Sequence, residues 1–322
     1  MSEFTVGTRG SALATTQTGH VAEALSGLTG QEHRTVLVKT EGDVTSGSLA
    51  QLGGTGVFAA ALRVALLEGR CDLAVHSLKD LPTKQPEGLV VAAIPPRVDV
   101  RDALCARDGL FLAELPEGAT VGTGSPRRAA QLRYARPDLQ IVDIRGNVGT
   151  RLGRVKGSPD QADDGGVGRV AQGDLDAVVL AAAGLERLGL HAHITEYLDP
   201  ADVLPAPGQG ALAVECRPET ARTGELAEAL RELDDLPTRL AVTSERALLA
   251  QLEGGCAAPI GALARVEADQ LLLDAVVAAP DGTDVIRRSA STRELTVGGA
   301  DALGRELADL MLREGAADLA GL

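Results

Sequence analysis

The sequence predicts an α/β protein made of two successive α/β blocks and a smaller C-terminal α+β domain. Three observations lead there. Short apolar runs alternate with helical patterns through the first two-thirds of the chain, the pattern of parallel α/β layers. From about residue 226 the order changes to helices, then grouped strands, then a last helix, which describes a separate α+β unit. The 322 residues are enough for two or three domains of roughly 100–200 residues each.

Taken in chain order, the apolar runs predict strands at 4–8, 35–39, 72–76, 89–94, 120–122, 139–144, 177–180 and 211–215. Helical spacing predicts helices at 12–25, 57–68, 126–135, 148–155 and 182–188. After two further helices come strands at 260–267, 270–279 and 285–291, and a helix from 297 to about 313. Two seams interrupt the alternation. PPRVDVRD at 95–102 joins the first block to the second, and VLPAPGQG at 203–210 has the Pro and Gly of a hinge-like crossing. KGSPDQADDGGVG at 156–168, flanked by a repeated GRV, has nothing that could pack and reads as a solvated surface insertion.

Composition narrows the function. Aromatics are 2% with no Trp, so the cores must be built from Ala, Val and Leu, which argues against an aromatic platform for nucleic acid or sugar. A net charge of −14 argues against nucleic acid as a partner, since a duplex binder needs a basic footprint. The N-terminal residues lack the basic flank and apolar core of a signal peptide, and no apolar run approaches the ~18 residues of a membrane span. A cytoplasmic protein without a membrane partner is expected. Cys71, Cys105, Cys216 and Cys256 show no CxxC spacing, which disfavours a zinc site or a disulfide framework. No metal is expected.

The informative chemistry lies at strand-to-helix junctions, where open α/β sheets collect ligands and helix N-termini offer N–H groups to anions. Arg9 and Ser11 follow the first strand in TRGS. In TGSPRR, Ser125 is a candidate N-cap, Pro126 a good first helical residue, and Arg127 and Arg128 fall in the first turn. The helix dipole disfavours a cation there by ~0.3–1 kcal/mol each, so two of them imply an anion in front of the helix. VDIRGNVGTR repeats the arrangement with Arg145 at a strand end and Arg151 in the next helix. Across 120–155 there are seven Arg, no Lys and two Asp, a local net charge of +5. Arg suits planar, bidentate carboxylate contacts, so the ligand is expected to be rich in carboxylates.

HSLKD at 76–80 places Lys79 and Asp80 at the end of a buried strand, facing the same cleft. A carboxylate there can stabilise a developing cation, or simply neutralise Lys79. In EGGCAAPIG the flanking Gly and Pro present Cys256 on a loop, whereas the other three cysteines adjoin apolar strands and read as buried thiols. His76 reads as a core histidine; GGTG at 53–56 lacks phosphate-loop spacing.

TRGSALATTQ, GGTGVF, HSLKDLPT, GSPRRAAQL, DIRGNVGTRL, AAAGLERLGL, LPAPGQGALAVECR and GGCAAPIG occur in the order of the porphobilinogen deaminase (hydroxymethylbilane synthase) family, which the chain resembles over roughly 5–261. The resemblance implies three domains: 1–98 with 207–228, and 99–206, both like lobes of periplasmic binding proteins, and 229–322. It implies a dipyrromethane cofactor joined by thioether to Cys256, and four condensations of porphobilinogen with loss of ammonia, ending in hydroxymethylbilane. Asp80 matches the family's catalytic carboxylate. Lys79, Ser125, Arg127, Arg128, Arg145 and Gly146 match cofactor-binding positions, and Arg9, Ser11, Gln17, Arg151, Arg187 and Gln209 match substrate-binding ones. A monomer is expected. The sequence departs from the family at Thr55, where many relatives carry Lys, and at the 156–168 insertion. Two other readings stay open on the residues alone: a solute-binding protein of the same two-lobed build, which leaves Cys256 and Asp80 unexplained, and a Cys-dependent acyl transferase, which needs a base.

Overall fold

The structure, a computed structural model, describes residues 3–39, 57–157, 173–253 and 258–322. The expected sites at Thr55 and Cys256, and most of the 156–168 stretch, lie outside them.

The first lobe is a five-stranded sheet of order β2-β1-β3-β10-β4, from β1 (Glu3–Thr8), β2 (Glu32–Leu37), β3 (Leu73–Ser77), β4 (Val90–Ala93) and β10 (Leu212–Cys216). Helices α1 (Ala12–Thr29) and α2 (Val57–Leu67) connect its parallel strands. The second lobe has the order β7-β6-β8-β5-β9, from β5 (Asp102–Ala106), β6 (Thr120–Gly122), β7 (Gln140–Val142), β8 (Ala177–Ala181) and β9 (Glu196–Tyr197). Helices α3 (Pro126–Ala135), α4 (Val148–Leu152) and α5 (Ala182–Arg187) follow β6, β7 and β8. The third unit packs α6 (Glu225–Leu233), α7 (Leu236–Gln251), α8 (Val297–Arg313) and α9 (Ala316–Ala320) around the meander β11 (Ile260–Glu267), β12 (Gln270–Ala278) and β13 (Val285–Thr292) in part: α6 lies on the first lobe, while α7, α8 and α9 share a core of Leu and Ala with the meander.

The purely parallel layers expected from the alternation need correction. β10 runs antiparallel to β3 and β4, and β5 antiparallel to β8 and β9. Each is the strand by which the chain enters one lobe from the other, so it arrives from the opposite direction to the βαβ strands around it. β5 and β9 were not expected from the sequence at all.

The two crossings lie side by side. Gly210 O accepts from Val98 N at 3.4 Å, and Gln209 O accepts from Arg97 Nε at 2.7 Å. Gly210 has φ +84°, and a Cβ there would stand 2.7 Å from Val98 O, so only glycine permits this approach. Glu245 of α7, fully buried, clamps the pair: it takes two guanidinium bonds from Arg97 (2.6 and 3.0 Å) and the N–H groups of Gly208 (2.6 Å) and Ala264 (2.8 Å).

Candidate cofactor and substrate site

Each lobe presents its polar side chains at the strand ends that face the crossings. In the first lobe, Ser11 caps α1, its hydroxyl accepting from Ala14 N, and Gln17 in the second turn of α1 accepts from the Ser77 hydroxyl at 3.1 Å. Arg9 lies between β1 and that cap. β3 ends in a single 3-10 turn, Leu78–Asp80, held on two sides. Leu78 N donates to Ala211 O, while Arg246 of α7 donates to the carbonyls of Leu78, Leu81 and Pro82 at 2.6–3.3 Å. The turn is rigid, with Lys79 half-buried and Asp80 exposed.

In the second lobe, Ser125 caps α3 and Pro126 is its first residue, as the sequence implied. Arg127 and Arg128 are 3% and 5% exposed, and the anion their position called for is internal: Asp102, at the start of β5 and fully buried. Asp102 Oδ1 accepts from Arg128 Nε (2.9 Å) and Nη2 (2.7 Å), and Oδ2 lies 2.8 Å from Arg127 Nη2. Burial alone would raise the Asp102 carboxyl, but Arg127, Arg128 and a Gln209 hydrogen bond hold it well below the usual carboxylate range. The remaining Arg127 Nη1 donates to Leu204 O at 2.6 Å, and Arg128 Nη1 to Val179 O at 3.2 Å. Gln131, one turn further on α3, exchanges two hydrogen bonds with the Leu204 backbone, so α3 is fixed to the second crossing.

Gln209 joins the lobes. Its Nε2 donates to Asp102 Oδ1 (2.8 Å) and Val100 O (2.7 Å), and its Oε1 accepts from Lys79 Nζ at 3.2 Å. Burial and the nearby Arg128 push the Lys79 ammonium down to about 8, against the opposing pull of Asp80 and Asp102. Arg151 is lowered by burial and by Arg128 and Arg145, with Asp143 and Asp80 acting the other way. Arg151 also donates from Nε to Gly146 O at 2.9 Å, and Arg145 pairs with Asp143 at 3.4 Å. Arg187 at the end of α5 donates to Gly210 O at 2.7 Å, and burial pushes it down to about 10. Helix α5 meets α1 where Leu13 lies against Gly184, which puts Arg187 beside the first lobe's half of the site.

Lys79, Asp80, Arg127, Arg128, Arg145, Arg151 and Gln209 therefore share one electrostatic neighbourhood drawn from both lobes. Sequence reasoning missed Asp102, whose one signal was its place as the last residue of the first seam, directly before an apolar run. The other three cysteines are buried, and burial raises all of them, Cys105 to about 12 and Cys216 to about 11, so none is a ready nucleophile. His76 is a core residue, its Nε2 set 3.2 Å from the buried Glu215.

Comparison with known proteins identifies the family. The family sequence model described as "Porphobilinogen deaminase, dipyromethane cofactor binding domain" matches residues 4–225, and that described as "Porphobilinogen deaminase, C-terminal domain" matches 239–313. The chain belongs to the porphobilinogen deaminase family. Relatives bearing that name include those of Micrococcus luteus, 60% identical over 91% of this chain and 82% of that one, and Cutibacterium acnes, 55% identical over 100% and 98%. The protein of Thermobifida fusca is 54% identical over 97% of this chain and 93% of its own. Among solved structures the chain is similar to the methionine-binding protein MetQ over 71% of this chain and 89% of that one, at a TM-score of 0.39 and 13% identity. As a porphobilinogen deaminase, the chain is a transferase, and its first two lobes form the part that binds dipyrromethane.

The residues present fit such a group. Arg127 Nε is buried without a hydrogen-bond partner among the described residues, and burial, with Arg128 nearby, lowers both Lys79 and Arg151. Carboxylates are the ligands that relieve both conditions.

Proposed function

We infer that the chain polymerises porphobilinogen into hydroxymethylbilane with release of ammonia, on a dipyrromethane held by Cys256 through a thioether. The observation that supports this best is the convergence of cations from both lobes on the rigid turn that presents Asp80. When bound, the dipyrromethane supplies the pyrrole terminus onto which new units are added. Lys79, Arg127, Arg128 and Arg145, with Ser125 and Gly146, serve its acetate and propionate groups. Arg9, Ser11, Gln17, Arg151, Arg187 and Gln209 serve the incoming rings. Asp80 accepts the pyrrole N–H groups and opposes the positive charge that develops when ammonia leaves.

Cys256 lies outside the described residues, but its loop bridges Glu253 at the end of α7 and Ala258 before β11. Both elements are tied to the crossings by Glu245, which holds Ala264 and Gly208 on one carboxylate. The domain division read from the sequence, 1–98 with 207–228, 99–206 and 229–322, follows the three sheets and is proposed with it. No described helix is long and apolar enough to cross a membrane. A cytoplasmic monomer is the proposed state. The test is stoichiometric: purified protein given porphobilinogen should release four ammonia for each linear tetrapyrrole formed. Ammonia without tetrapyrrole, or no consumption at all, would contradict the assignment.

A further inference from the structure

We propose that Asp102 is a positioning residue for the cofactor site: its buried carboxylate fixes the Arg127 and Arg128 guanidiniums and, through the Gln209 amide, sets the Lys79 ammonium of the opposite lobe in register with them. The proposal rests on the reading of these cations as carboxylate ligands.

The geometry is a chain of four links. Two oxygens of one carboxylate take both arginines, Arg128 through Nε and Nη2 and Arg127 through Nη2. The same Oδ1 takes Gln209 Nε2, and the other end of that amide takes Lys79 Nζ. Arg127 and Arg128 belong to α3 of the second lobe, Lys79 to the turn after β3 of the first, and Gln209 to the crossing between them. Water has little access to the centre of this chain, since Asp102, Arg127, Arg128 and Gln209 are each 5% exposed or less, and only Lys79 at its end is half-buried.

Charge explains why a carboxylate should sit among groups meant to bind carboxylates. Three cations converging without a counter-ion would repel and splay before a ligand arrived. Asp102 offsets one of the three charges, with Asp80 acting on Lys79 alone, so the group can still take anions but is held in one arrangement. A site ordered before binding does not spend binding energy on ordering. Val179 O and Leu204 O occupy further N–H groups of the two arginines, so their planes are fixed as well as their positions. Arg127 Nε, buried and lacking a partner among the described residues, is the donor this arrangement leaves over.

The test compares four variants purified as the full chain from cells that make the cofactor. Intact mass gives the fraction carrying dipyrromethane, and thermal unfolding gives stability. Asp102→Asn should carry cofactor on about a tenth as many chains as the parent or fewer, in keeping with the loss of one partner of a buried charge network. Leu115→Ala, a core change in the same lobe, supplies a matched loss of stability and should remain loaded, which separates positioning from folding. Asp102→Asn loaded like the parent would overturn the proposal. Should Asp102→Asn not be recovered folded, Asp102→Glu decides. It keeps the charge but moves it by a methylene, and a loaded fraction equal to the parent's would overturn the proposal, whereas a loss of about threefold or more supports it. Arg128→Leu separates the proposal from the reading beneath it. If Arg128→Leu loads normally, the reading of the cations fails and takes the proposal with it; if it does not load while Asp102→Asn does, only the role of Asp102 falls.

Discussion

Replacing Asp80 by Asn isolates the chemical step. The substitution keeps size and hydrogen-bonding capacity and removes one charge. Its turn is held by Ala211 and by Arg246 from α7, and the Asp80 side chain is exposed, so the fold has little to lose. The magnitude follows from the surroundings of the carboxylate. Opposite unit charges about 4 Å apart attract by roughly 1 kcal/mol in water and roughly 4 kcal/mol at an effective dielectric of about 20. Each 1.36 kcal/mol is about tenfold in rate, so the two limits are about fivefold and about a thousandfold. The free carboxylate faces water, but rings lying over it exclude that water, and the second limit governs. Turnover of cofactor-loaded Asp80→Asn should therefore fall by about a hundredfold or more, as for removal of one preorganised charge-stabilising group. Asp80→Glu should retain more activity than Asp80→Asn. The assay is porphobilinogen consumption per loaded chain, with loading read by mass. Turnover within about tenfold of the parent would show that Asp80 only neutralises Lys79, and the reasoning would fail.

Two further outcomes follow from the structure. Lys79 titrates near 8 in the cofactor-free chain because it is buried beside Arg128, so its charge is present at pH 7 and lost as pH rises through that value; a carboxylate bound to it restores the ordinary value. Affinity of cofactor-free protein for a pyrrole carboxylate should decline above pH 8 with uptake of a proton on binding, seen by calorimetry in buffers of different ionisation heat, and Lys79→Arg should flatten the profile; an unchanged slope in Lys79→Arg would assign the titration elsewhere. Gly210→Ala forces a Cβ to within 2.7 Å of Val98 O at φ +84°, so it should destabilise the crossings by about 1–3 kcal/mol in thermal unfolding, and an unaltered midpoint would show that the two segments can separate freely.

Most of the layer order was legible in the sequence because buried strands announce themselves as apolar runs. α3 and α8 begin and end where the sequence placed them, α3 from its Ser125 cap and α8 from spacing alone, its Thr296 cap appearing only in the structure. The errors fall where burial pattern and chain direction part company. β2 begins at Glu32 rather than 35, since an edge strand paired only with β1 needs no apolar alternation, and its burial pattern shows none. β5 was hidden because its four apolar residues follow a charged seam, and its first residue, Asp102, is an acid that looks exposed until its three partners are in view. The candidate site shows the same limit. Junction arginines reveal that an anion is wanted; they cannot reveal that a buried carboxylate 26 residues upstream of Arg128 supplies part of it. Long-range partners such as Gln209 with Lys79, or Glu245 with Arg97, leave no local signal in either segment.

The most direct test of the account is the intact mass of the purified chain beside that of Cys256→Ser. The account predicts a parent heavier than its sequence by one dipyrromethane, and a folded, inactive Cys256→Ser protein at its sequence mass, while Cys71→Ser, Cys105→Ser and Cys216→Ser keep the addition. A parent at bare sequence mass, or a covalent pyrrole retained on Cys256→Ser, would contradict it.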